Sequence, residues 1–120
     1  MSIPLAVAIP EEVLFRGVLE ASLRRHLGPV GSGVVGCAAF GLWHALGASM
    51  LTRGNEGVAA VLGERRGAQA AGVAGVVVAT GVAGAGFLAL RRGSGSLLPS
   101  AAVHWALNAA SALAAGLQRQ

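Results

Sequence analysis

Apolar residues run almost unbroken over three stretches of this chain, about 29–51, 68–90 and 97–117. None holds Lys, Arg, Asp or Glu, and each is bounded by Arg or by Gly and Ser. A helix needs roughly 20 largely apolar residues to cross the hydrocarbon layer, so each stretch predicts one membrane span. Pro29 and Pro99 fall near the starts of their segments, where a missing N–H costs little. A fourth helix is predicted over about 10–27, with Pro10 at its first position, Glu11 and Glu12 in its first turn and Gly28 as its breaker. Val13, Leu14, Phe15, Val18, Leu19 and Leu23 give it an apolar surface. Its charges make it a helix that dips into or partly crosses the bilayer. The expected fold is therefore all-α, a polytopic transmembrane helical bundle of about three full spans plus an N-terminal helix that carries charged residues.

Composition agrees with that pattern. Hydrophobic residues make up 54% of the 120-residue chain and charged ones 12%, about half the charge of an ordinary soluble domain; the mean hydropathy is +0.66. One domain is the most such a length predicts. Every basic residue is Arg and every acidic one Glu, a bias of the kind a genome imposes. The formal charge of +4 comes from short clusters, Arg24-Arg25, Arg65-Arg66 and Arg91-Arg92. These punctuate the apolar runs instead of forming a basic stripe with aromatic readers, so they are expected to anchor at lipid headgroups and not to bind nucleic acid. Counting charges does not orient the chain: Arg24, Arg25, Arg91 and Arg92 oppose Arg53, Arg65, Arg66 and Arg119. Cys37, the one cysteine, excludes an intrachain disulfide and a cysteine metal cluster. Residues 1–10 lack a basic region and contain two prolines, unlike a signal peptide. Glycines crowd the spans, and Ala68/Gly72 and Gly81/Ala85 have the small-xxx-small spacing of close helix packing.

The chemistry lies where polar residues interrupt this pattern. An ionisable group at membrane depth costs at least ~3 kcal/mol and so marks function by default. Glu12 and Arg16 stand four apart, Glu first, the favourable order for a helical ion pair. Glu11, one residue around the helix, does not share that pair and is left for general acid–base work. Phe40 and His44 share a helix face by the same spacing, as do His104 and Asn108. His with Asn directs two donors at one point, as an oxyanion requires, and the same residues could join two helices. Trp43 and Trp105 are expected to pack or anchor. Together these groups suit water activated by Glu11 with His44 and an oxyanion held by His104 and Asn108. Glu11, His44 and His104 are also zinc-ligand types, so a divalent metal such as zinc is a possible cofactor, although the HExxH spacing is absent.

Glu11-Glu12-xxx-Arg16, Phe40-xxx-His44 and His104-xxx-Asn108, in that order, resemble the three motifs of the CAAX protease and bacteriocin-processing family (CPBP, also called Abi), which includes the type II CAAX prenyl endopeptidases of the Rce1 kind. The resemblance covers about residues 10–113. It implies an intramembrane endopeptidase, metallo- or glutamate-dependent, with Glu11 and His44 activating water, His104 and Asn108 forming the oxyanion hole, and Glu12 and Arg16 supporting the site. It implies a peptide or protein substrate at the membrane, lipid as surroundings, and a multi-pass place in what composition marks as a bacterial plasma membrane. Members usually carry several helices before the first motif, whereas ten residues precede Glu11 here; the expectation is a single protease core over 1–120 without those helices. The alternative is a non-catalytic membrane scaffold or bacteriocin-immunity protein on the same helices. A simple channel would leave the three motifs unexplained.

Overall fold

The computed structural model describes residues 3–53 and 66–117, with side chains over 6–47 and 70–117. Among these residues the chain is helical except for a bend at 95–97: α1 Ile3–Glu12, a π-helical segment Val13–Leu19, α2 Glu20–Arg53, α3 Arg66–Ser94 and α4 Leu98–Leu117. Arg65 and Arg119, used above to weigh orientation, lie outside the described residues.

The first helix corrects the sequence expectation. It begins at Ile3, and Pro10 lies inside it, so Glu11 and Glu12 occupy its last turn and gain nothing from an N-terminal dipole. The physical reason is local. Pro10 has no N–H to offer the carbonyl four residues back, and the strained ladder is relieved just downstream by the wider π turn, which lets the helix continue instead of starting anew. The π segment keeps helical dihedrals at both flanks, with Glu12 at φ −65°, ψ −42° and Glu20 at φ −58°, ψ −47°, and it turns Phe15 and Arg16 inward.

The expected break at Gly28 is present inside α2, where φ is +70° and ψ −178°. A side chain resists that conformation and glycine does not. The chain re-enters helix at Pro29. After α3, Gly95 at φ +69° closes the helix by donating its N–H to the Arg91 carbonyl at 3.1 Å, a left-handed C-terminal cap. Ser96 then accepts from the Leu98 N–H at 3.2 Å and starts α4.

Two compact units divide the chain, 1–36 with 85–120, and 37–84. In the first, α1 packs against α4. Its interior holds Ala8, Phe15, Phe87 and Leu88 together with Glu12, Arg16, Glu20, Ser32, Ser100 and His104. Its surface carries Val7, Ile9, Val13, Leu14, Val30, Val34, Leu98 and Leu107. Charge inside and hydrocarbon outside reverses the arrangement of a water-soluble domain and matches surroundings of lipid. Two stretches, Ala6–Gly47 and Ala70–Ser94, are long and apolar enough to cross a membrane.

The second unit is built on a close approach of α2 to α3. A Cβ at Gly41 would lie 2.6 Å from the Val77 carbonyl oxygen and 3.3 Å from Val77 Cγ1, and one at Gly81 would lie 3.6 Å from the Cys37 carbonyl. Small residues therefore do admit a neighbouring backbone here; of the Ala68/Gly72 pair, Gly72 has nothing within 4 Å among the described residues, and the Ala68 side chain lies outside them. Gly41→Ala is expected to destabilise the protein by about 1–3 kcal/mol by forcing the helices apart. Gly72→Ala should leave stability unchanged or raised by up to about 1 kcal/mol of helix propensity. Thermal denaturation in detergent separates the two variants, and equal melting temperatures would refute the close packing at Gly41.

Candidate active site

Four elements of the first unit supply the site: the end of α1, the π segment, the end of α3 and the middle of α4. Glu12, 1% exposed, is its centre. One carboxylate oxygen, Oε1, accepts from Arg16 Nη1 at 3.0 Å and lies 3.0 Å from His104 Nδ1. A carboxylate only accepts, so this contact puts the proton on Nδ1 and directs Nε2 outward as the reactive ring atom. Nε2 lies 3.6 Å from Glu11 Oε2. The other Glu12 oxygen, Oε2, is buried with no hydrogen-bond partner among the described residues.

Phe87 holds the assembly from below. Its ring stacks on His104 with centroids 4.8 Å apart and planes 19° from parallel, and its face meets the Arg16 guanidinium 5.1 Å from the centroid. A cation over a ring face is attracted by the quadrupole, so one aromatic side chain fixes both partners of Glu12. Arg16, 4% exposed, also lies 5.9 Å from the Phe15 centroid.

The sequence-derived candidates are thus partly assembled within this unit. Glu11, Glu12, Arg16 and His104 come together, and the predicted Glu12–Arg16 ion pair is present. Asn108 is half-buried one turn beyond His104 on α4. His44 belongs to the unit 37–84. It is half-buried there, its Nδ1 3.0 Å from the Phe40 carbonyl and its ring 4.4 Å from that of Phe40, so the shared face read from spacing exists. Trp43 is half-exposed on the surface. Trp105 lines an apolar cavity of about 470 Å³ with Ile9, Glu12, Val13, Leu97 and Leu98, and its buried Nε1–H has no partner among the described residues.

Two features escaped the sequence. Phe87 looked like one apolar residue among many in a span. Arg92 was expected at lipid headgroups; instead its Nε donates to Glu20 Oε1 at 3.1 Å and its Nη2 reaches the Pro29 carbonyl at 2.6 Å and Ser32 Oγ at 3.0 Å. Glu20 is buried, and an unpaired carboxylate there would be costly, so Arg92 is drawn inward. No spacing rule links residues 72 positions apart.

A family model described as Rce1-like, type II CAAX prenyl endopeptidase, matches residues 1–110. No curated protein and no solved structure matches the chain.

Proposed function

Because the chain belongs to the Rce1-like family of type II CAAX prenyl endopeptidases, a membrane-embedded protease family, we propose that it is an intramembrane endopeptidase acting on peptide tails presented at the bilayer. The observation that carries this reading is the grip of Glu12 on His104 Nδ1, which leaves Nε2 facing Glu11 inside an apolar protein. Residues 1–120 make one catalytic core, with α4 as a third crossing beside the two apolar stretches, in a bacterial plasma membrane.

In this mechanism Glu11, with His44, takes a proton from water as its oxygen attacks the scissile carbonyl carbon. The carbonyl π pair moves to oxygen, where the Asn108 amide donates to the oxyanion and His104 does so through Nε2 once its ring carries a second proton beside the Nδ1–H held by Glu12. Collapse re-forms the carbonyl, breaks the C–N bond and passes the proton from Glu11 to the leaving amine. Glu12 orients the ring of His104 through its Nδ1–H, and Arg16 holds Glu12. The role of His44 is supported by its motif and by its ordered ring against Phe40.

The donor set also fits a divalent metal such as zinc. Glu11 and His104 present a carboxylate oxygen and an imidazole nitrogen to one another, and the carboxylate on Nδ1 is the partner that metal-binding histidines use. With His44 as third donor, such an ion would supply Lewis-acid polarisation and easier ionisation of water. The apolar cavity beside Glu12 suits a hydrocarbon chain on the substrate, and its volume falls in the range of small-molecule sites.

The test is cleavage of a fluorogenic prenylated C-a-a-X peptide in proteoliposomes. Glu11→Ala and His44→Ala, present in membranes at wild-type levels, should each lose on the order of 100-fold or more in rate. Full activity in both would end the assignment of these roles. Loss of wild-type activity on chelation, restored by zinc, would favour the metal version.

A further inference from the structure

Arg16 belongs to a second environment besides its contact with Glu12. It borders a cavity of about 360 Å³ whose other charged members are Glu20, Arg24, Arg91 and Arg92. Glu20 is already engaged by Arg92 and Arg16 by Glu12. The guanidinium groups of Arg24 and Arg91 have no ion pair or hydrogen bond among the described residues, and Arg91 Nε is buried without a partner there. A guanidinium with a buried unpaired nitrogen, Arg91, and the exposed Arg24 border one hollow in a protein otherwise short of charge, an arrangement that suits an anion. Gly17 and Ala21, one turn apart on the same wall, keep the space between the arginine arms open.

The position of this hollow is as telling as its charge. Arg16, Glu20 and Arg24 follow Glu12 at successive intervals of four residues on a continuous helical path. The rise is at most about 1.5 Å per residue and smaller through the wider π turn, so Arg24 lies less than about 18 Å along the axis from Glu12. Three extended residues reach about 10 Å, and a C-a-a-X tail has three residues beyond its cysteine.

We propose that this cavity receives the free α-carboxylate at the C-terminus of the peptide being cut, with Arg91 and Arg24 as its ligands. The helix from Glu12 to Arg24 then acts as a ruler that sets the cut a fixed number of residues from the chain end. The inference rests on the peptidase reading and adds the feature of the substrate that the site measures. Guanidinium with carboxylate forms paired charge-assisted hydrogen bonds, so the free acid is strongly preferred over an amide.

The test compares a prenylated C-a-a-X peptide with the same peptide ending in a carboxamide, both in proteoliposomes. Wild-type protein should cleave the amide with a kcat/KM about 10- to 100-fold lower, chiefly through KM. Arg91→Gln and Arg24→Gln should each reduce kcat/KM for the acid several-fold or more and leave the amide within about twofold; Arg91→Lys should recover part of the loss. Equal turnover of acid and amide by wild type overturns the proposal. So does an acid preference untouched in both Gln variants together with an anionic phospholipid, seen by native mass spectrometry, that is retained by wild type and lost in Arg91→Gln; that result assigns the cavity to a lipid headgroup. If wild type cleaves neither peptide, the peptidase reading fails separately, and the carboxylate site is read by thermal shift with a three-residue product peptide. Stabilisation by its acid, absent with its amide and absent in Arg91→Gln, upholds the site, and no stabilisation overturns it.

Discussion

His104→Ala is expected to lower kcat/KM by roughly 1000-fold with the protein still inserted in membranes. The substitution removes the group that faces Glu11 and that is proposed to stabilise the oxyanion, and loss of one such donor costs about 100- to 1000-fold. It also deletes a partner of Glu12 and the upper half of the stack on Phe87, which puts the effect at the top of that range. His104→Gln retains a donor but cannot place it on the line set by the Nδ1 contact, so it should recover little. Peptide hydrolysis in proteoliposomes, corrected for inserted protein, is the measurement. Activity within a few-fold of wild type would remove His104 from the chemistry and leave it as a link between helices.

Arg16→Ala should produce the largest loss of stability, about 3–5 kcal/mol. That is the cost of breaking a buried ion pair by removing one partner and leaving the other charged and dry. Glu12 is 1% exposed and keeps only His104 on Oε1. Arg16→Lys keeps the charge but loses the planar fork and the contact with the Phe87 face, so it should fall between. The double variant Glu12→Gln/Arg16→Ala is expected to be less damaged than the two single losses added together, because the stranded charge is gone. Thermal denaturation in mild detergent measures all three. Additive losses would mean that Glu12 and Arg16 are not coupled.

How far these residues could be read beforehand follows from the range of each interaction. The Glu12–Arg16 pair and the Phe40–His44 face lie within one helical turn, where spacing alone decides who meets whom. The break at Gly28 was legible for a related reason, because glycine followed by proline interrupts a helix by local sterics. The start of α1 was misplaced since Pro10 is compatible both with a helix start and with a helix continued through a π turn, and spacing does not choose between them. The Glu12–His104 contact joins residues 92 apart. Three ordered motifs implied it only through their likeness to a family. Phe87 and Arg92 had no such motif, and their partners are set by which charges burial strands on other helices.

Gly28 has a consequence for how this chain tolerates insertions and deletions. One residue gained or lost in a continuous helix rotates everything beyond it by about 100°. Between Glu12 and Arg16 that rotation would swing Arg16 away from Glu12. At Gly28 the chain leaves helical phase and re-enters it. A length change there is not carried onward as a helical rotation; its limit is set by Arg92, which must still reach Glu20 before the break and Pro29 and Ser32 after it.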